Sequence, residues 1–254
     1  MQVRDFVTKD TSILQCQDIS RLERQLFLQK SGSSISLFYN ILKEYNITNT
    51  SSLKGLWERE LNVRITNDDW NDAWKSAKIL NVCNRVRAMQ LKLLHRVHIS
   101  PSQRHKYNPN TSPLCPKCKI ESGGLTHCLW DCRKIQQFWQ VIGQEINKIL
   151  SINSNNNPLY LLLGISDMSI TDRFKRRLYQ TLAFCARKCI LLNWITDKAP
   201  SKAQWQRVVF EYVVLDHLTC KLHSNDDAFR KTWDPFLSYV GLNVSTILTR
   251  GFVS

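Results

Sequence analysis

The chain has 254 residues and is 43% hydrophobic with eight Trp, enough for one large domain or two small ones and too apolar for disorder. Eight Gly and seven Pro are few for an all-β plan, and the formal charge of +14 points to a polyanionic partner, nucleic acid ahead of a membrane surface. No run of about 18 apolar residues is present, which excludes an ordinary spanning helix.

The N-terminal MQVRDFVTKD holds charges and no continuous apolar stretch, so it is not read as a signal peptide. Nine Cys is an odd count. An intracellular chain is therefore expected, cytoplasmic or nuclear and not secreted, with thiols that bind metal rather than form disulfides.

In chain order, Leu14, Ile19, Leu22, Leu26 and Phe27 predict an amphipathic helix over 13–28, and Leu37, Phe38, Ile41 and Leu42 predict another. After Asn49, Ser51 and Ser52, a helix carries Leu53, Leu56, Trp57 and Leu61. The next starts near Asn67 or Asp68 and places Trp70, Trp74 and Ala77 on one face, which reads as core packing rather than a base-stacking platform. Over 81–99 the apolar stripe is Val82, Val86, Met89, Leu93 and Val97.

That stretch opens a basic tract. Between residues 75 and 140 there are 12 Lys and Arg against Glu121 and Asp131 alone. A solvated helix face normally mixes signs, so Arg85, Arg87, Lys92, Arg96, Arg104, Lys106, Lys117, Lys119, Arg133 and Lys134 are predicted phosphate contacts. The competing reading is a merely solvated face.

Within the tract, CPKCKIESGGLTHCLWDC offers Cys115, Cys118, His127 and Cys132 at C-x2-C-x8-H-x4-C spacing. Three thiols and an imidazole suit a borderline-soft tetrahedral ion, and Zn(2+) is the default occupant. Four protein ligands leave no open position, so the site reads as structural. Gly123 and Gly124 are expected to free the backbone where the chain reverses, and Asp131 to cap a helix starting at Cys132. Cys128, beside His127, is the alternative ligand. Trp130, between two ligands, is either a stacking platform for an unpaired base or a plug beneath the loop.

The helix after the motif carries Ile135, Phe138, Trp139, Ile142, Ile146 and Ile149. The asparagine-rich 151–158 stretch reads as a linker. Beyond it lie a helix over 172–194, with Phe174, Leu178, Leu182, Cys185, Cys189 and Leu192 toward a core, and a second capped by Ser201 and reaching about His223. A last helix from Asp226 or Asp227 toward Tyr239 is expected to be interrupted or bent at Pro235. Cys185 and Cys189 read as small core residues. The predicted fold is all-α with a small irregular zinc-knuckle-like loop between helices, in segments 1–50, 51–110, 111–150 and 158–254.

LNVRITNDDW, LHRVHISPSQRHKYNPNTSPLCPKC, HCLWDCRKIQQFW and LLLG together resemble the C-terminal region of reverse transcriptases of long-interspersed-element (non-LTR) retrotransposons. The resemblance covers most of the chain and implies a helical segment trailing a polymerase, followed by a cysteine-histidine zinc motif, with RNA binding by the C-terminal part. The family's aspartate pair in an aromatic-x-Asp-Asp turn is missing: Asp68–Asp69 and Asp226–Asp227 both suit helix N-termini instead. The expectation is a C-terminal fragment without catalysis of its own, binding RNA ahead of DNA, with no small-molecule substrate and no membrane partner. A protein-interaction scaffold, with zinc as a staple only, is the alternative.

Overall fold

The computed structural model describes residues 50–79 and 84–245. The helices predicted before residue 50, together with Cys16, Val82 and Cys83, lie outside the described residues. The described helices are α1 Ser51–Leu61, α2 Asn67–Ile79, α3 Asn84–Leu94, α4 Pro101–Tyr107, α5 Arg133–Leu150, the short α6 Pro158–Leu161, α7 Arg173–Leu192, α8 Lys202–Leu222 and α9 Asp226–Tyr239. A π-helical turn, His127–Asp131, precedes α5. Among the described residues there is no strand, only an isolated bridge between Leu114 and Ser122, so the fold is all-α.

Local chemistry sets where the helices start. Thr66 and Asp69 form a reciprocal capping pair ahead of α2: the Asp69 amide donates to Thr66 Oγ1 at 3.0 Å and the Thr66 amide to Asp69 Oδ2 at 3.2 Å. Asp172 accepts from the Phe174 and Lys175 amides at 2.7 and 3.0 Å, and Ser201 caps α8 through the Gln204 amide at 3.1 Å. Asp68–Asp69 and Asp226–Asp227 occupy first turns of helices, where the dipole favours carboxylates.

Helix α7 is the hub and packs against α5, α6, α8 and α9. One core cluster runs from Trp57 to Val244, so the segments read separately after residue 50 share a single interior. Four Trp are fully buried, and each satisfies its indole N–H: Trp57 on the Leu94 carbonyl (3.2 Å), Trp139 on that of Leu129 (3.0 Å), Trp205 on that of Leu182 (3.0 Å), and Trp233 on Asp216 Oδ2 (2.7 Å). Trp70 and Trp74 meet edge to face at 5.5 Å, as core packing requires. Cys185 and Cys189 are buried, and burial pushes the Cys189 thiol up to about 12.

Several expectations need correction. Val97 and Leu192 are each 60% exposed: α3 ends at Leu94, and Leu192 is the last residue of α7. The 151–157 stretch is pinned along α5 rather than free. Asn147 bonds the Ser154 carbonyl and amide, and Asn156 lies so close over Gly143 that a Cβ there would fall 1.7 Å from its Oδ1. Helix α9 runs through Pro235 unbroken. Arg187, which helical spacing places off the core face of α7, is instead buried with no ion pair among the described residues, donating to the Leu161 carbonyl at 2.6 Å, and burial drives its guanidinium down to about 9.

Glu145 of α5 ties α8 and α9 to the bundle, accepting from Lys202 (2.8 Å), Lys148 (3.2 Å) and the Tyr239 hydroxyl. Burial raises its pKa, but these three donors outweigh burial and hold it below the usual value. Its stabilising contribution is therefore complete above the ordinary carboxylate range and is lost as pH falls through the lowered folded value. Glu145→Gln is expected to cost about 1 kcal/mol at pH 7 in urea titrations, and the gap from wild type should close toward pH 3. A gap that stays constant across that range would refute the ionic origin.

Candidate metal centre

Between α4 and α5 the chain has too few apolar residues for a core of its own, and backbone pairing folds it tightly. The Cys115 amide donates to the Glu121 carbonyl and the Lys119 amide to that of Cys115, both at 2.8 Å, and Lys119 takes a left-handed φ of 59° to complete the turn. Neither Gly123 nor Gly124 has a positive φ. Gly123 is required for another reason: a Cβ there would lie 2.7 Å from Pro101 Cβ. The Gly123 carbonyl accepts from the Ser102 amide at 3.2 Å, so loop and α4 are held in contact.

This folding brings Cys115, Cys118, His127 and Cys132 together, with one ligand atom from each lying within 4.8 Å of the other three. Cys115 Sγ and Cys132 Sγ are 3.8 Å apart, and Cys118 Sγ and His127 Nε2 are 3.4 Å apart. A tetrahedral ion with M–S bonds of about 2.3 Å sets S–S edges near 3.8 Å and S–N edges near 3.6 Å. Disulfide sulfurs would sit at about 2.05 Å, so the pair is unbonded. The donor set and these two edges fit one tetrahedral metal ion, and the four residues are close enough to hold it. Cys128 is not part of the cluster: its side chain is fully buried, and burial pushes its thiol up to about 12.

Helix α5 starts at Arg133, with Cys132 rather than Asp131 as its N-cap. The cause is the π turn, in which the Cys132 amide reaches back to the His127 carbonyl at 2.9 Å and shifts the helix start by one residue. Burial raises the Cys132 thiol to about 11, although the Lys134 and Ile135 amides face its sulfur without full hydrogen-bond geometry. Cys118 is the opposite case. Burial raises it, but the Glu121 and Ile120 amides and His127 outweigh that and hold it at about 6. Metal binding takes each cysteine as its thiolate, so metal affinity is expected to weaken as pH falls.

Glu121 was not among the predicted site residues. Its Oε2 lies 3.1 Å from His127 Nδ1, on the side of the ring away from the cluster. The carboxylate fixes the tautomer that leaves Nε2 free to bind metal. The available signal was an acid in the spacer of an otherwise basic stretch.

The predicted phosphate contacts divide. Arg85, Arg87, Lys92, Arg104, Lys106, Lys119, Arg133 and Lys134 are exposed, and none forms an ion pair with a described residue. Lys117 is 1% exposed and donates to the Asn193 carbonyl at 2.9 Å, so it is removed from that set. Arg96 is also taken up by the fold: it bonds Glu60 at 2.6 Å and lies 4.4 Å over the Trp57 ring. Thr126, next to His127, donates to the other Glu60 oxygen. Trp130 packs 5.5 Å from Trp139, which favours the plug over the platform. No helix among the described residues is long and apolar enough to cross a membrane. No protein-family model matches the chain.

Cys118→Ser should abolish stoichiometric metal in elemental analysis and unfold the 111–132 segment, since structural ions provide on the order of 10 kcal/mol of local folding free energy. Cys128→Ser should retain one metal per chain. Glu121→Gln should keep the fold and lose metal to a chelator with roughly tenfold weaker affinity. Equal retention by the Gln variant would mean that the carboxylate plays no part in orienting the imidazole.

Proposed function

We propose that the chain is an RNA-binding module built around a structural zinc ion and without catalysis of its own. The observation that carries this is the set of eight exposed cations on α3, on α4 and around the four-ligand cluster, none of which forms an ion pair with a described residue. Such a one-signed surface gains by releasing the counterions of a polyanion. The resemblance to the C-terminal region of non-LTR retrotransposon reverse transcriptases supports RNA as that polyanion. It also supports a role within a longer polypeptide whose polymerase lies elsewhere.

Zinc would be held by Cys115, Cys118, His127 and Cys132, and when bound it supplies cross-linking, with no open position for water. The chain's own residues do the rest. Glu121 orients His127, and Gly123 lets the loop seat on Pro101. The Glu60–Arg96–Thr126 bridge fixes α1 against the loop, so that Arg104, Lys106 and Lys119 project from a rigid base.

Changing Arg85, Arg87 and Lys92 together to Gln tests the reading. Each phosphate contact contributes about 0.7 to the salt slope of a single strand, so three losses should flatten it by roughly two. Far-UV circular dichroism and zinc content should not change. Arg96→Ala should instead cost about 2 kcal/mol of stability, because it loses a charged hydrogen bond and a stacked ring. If the triple variant binds RNA with wild-type affinity and slope, the tract is a solvated face and the scaffold reading replaces this one. Incorporation of nucleotides on a primer-template by this chain would refute the absence of catalysis.

A further inference from the structure

Beside the metal cluster lies an open cleft of about 680 Å³, within the range of about 300–1,000 Å³ typical of ligand sites. Its walls come from three places: α4 and the chain just before it (Ile99, Arg104, Tyr107), the metal loop (Leu114, Lys119), and the chain just past α7 (Trp194). The walls are mainly apolar, yet open to solvent: Ile99 is 56%, Tyr107 72% and Leu114 41% exposed. Two hydrogen bonds hold the walls in place. Lys117 Nζ donates to the Asn193 carbonyl, and Trp194 Nε1 donates to that of Ile99, both at 2.9 Å. With its N–H engaged in this way, the Trp194 indole offers the cleft ring surface rather than a donor.

Arg104 and Lys119 are the cations of the lining, and Asp197 is its one carboxylate. Neither cation is ion-paired with a described residue. An occupant must therefore combine negative charge with a flat apolar body. A duplex does not meet that requirement, because it presents phosphates and keeps its bases stacked inside. An unpaired nucleotide does: the base lies against Tyr107 and the apolar walls while its phosphates reach Arg104 and Lys119. We propose that this cleft seats an unpaired base of a bound single-stranded RNA and so gives the module a preference for single strands. The inference rests on the RNA-binding reading above and adds where the strand is gripped and in what form.

The test compares the zinc-loaded wild-type chain with a Tyr107→Ala/Ile195→Ala variant, on a 20-nucleotide unstructured RNA and on a 20-base-pair RNA duplex. Ile195 also lines the cleft, and at 75% exposure it, like Tyr107, can be truncated without opening the core. The expected result is about a tenfold loss of single-strand affinity with an unchanged salt slope, and no change on the duplex. As a second readout that needs no variant, RNA carrying 5-iodouridine should photocrosslink to peptides containing Tyr107 or Trp194. If wild type binds neither RNA, the RNA-binding reading itself fails, and this inference with it. If wild type binds the single strand but the variant matches it, loses duplex binding equally, or the crosslinks map elsewhere, the cleft inference alone is overturned.

Discussion

The structure between α4 and α5 depends on one constraint: three sulfurs and an imidazole nitrogen converge closely enough to hold a single metal ion. This stretch contributes only a few side chains to the core, notably Cys115, Leu125, Cys128, Leu129 and Cys132. Packing alone would not place four donors from 18 residues of chain within 4.8 Å of one another. Everything nearby serves that convergence, from the left-handed Lys119 to the π turn that delays α5 until Cys132 points inward. Trp139 then fastens the result to the interior by donating to the Leu129 carbonyl.

A basic surface and a stable fold compete for the same residues. Lys117 and Arg96 have been taken up by the architecture. One ties the loop to the end of α7, and the other bridges α1 to the stretch before α4. The eight exposed cations of the tract form no ion pair with a described residue, and a one-signed surface of that kind gains from a polyanion or from charges well spread. The energetic roles of like residues thus differ by burial rather than by type.

Much of this was legible in the residues. Helical periodicity located α5 and α7 with most of their core faces, because each buries a wide stripe over several turns, and the Ser201 cap located α8. The ligand set was legible because thiols and imidazoles at short fixed spacings have few other uses. What could not be read is what depends on contacts distant in sequence. Lys117 meets Asn193, 76 residues away, and Arg96 meets Glu60, 36 residues away, and no local pattern marks either pair. Gly123 was correctly singled out but for the wrong reason, since a close approach by Pro101 leaves no trace in composition. The asparagines at 153–157 read as a linker because their polarity suits solvent equally well. Only the bonds of Asn147 and Asn156 reveal a strap along α5.

The burial of Lys117 makes the loop its own reporter. Its amine is shielded by 1% exposure and by its bond to Asn193, whereas Lys119, two residues on, is open to solvent. Reagents that acylate amines act on the second and not the first as long as the loop is closed. The ratio of labelling at these two neighbours therefore reads out the fraction of molecules with an intact loop, inside a mixture and without purification of either state.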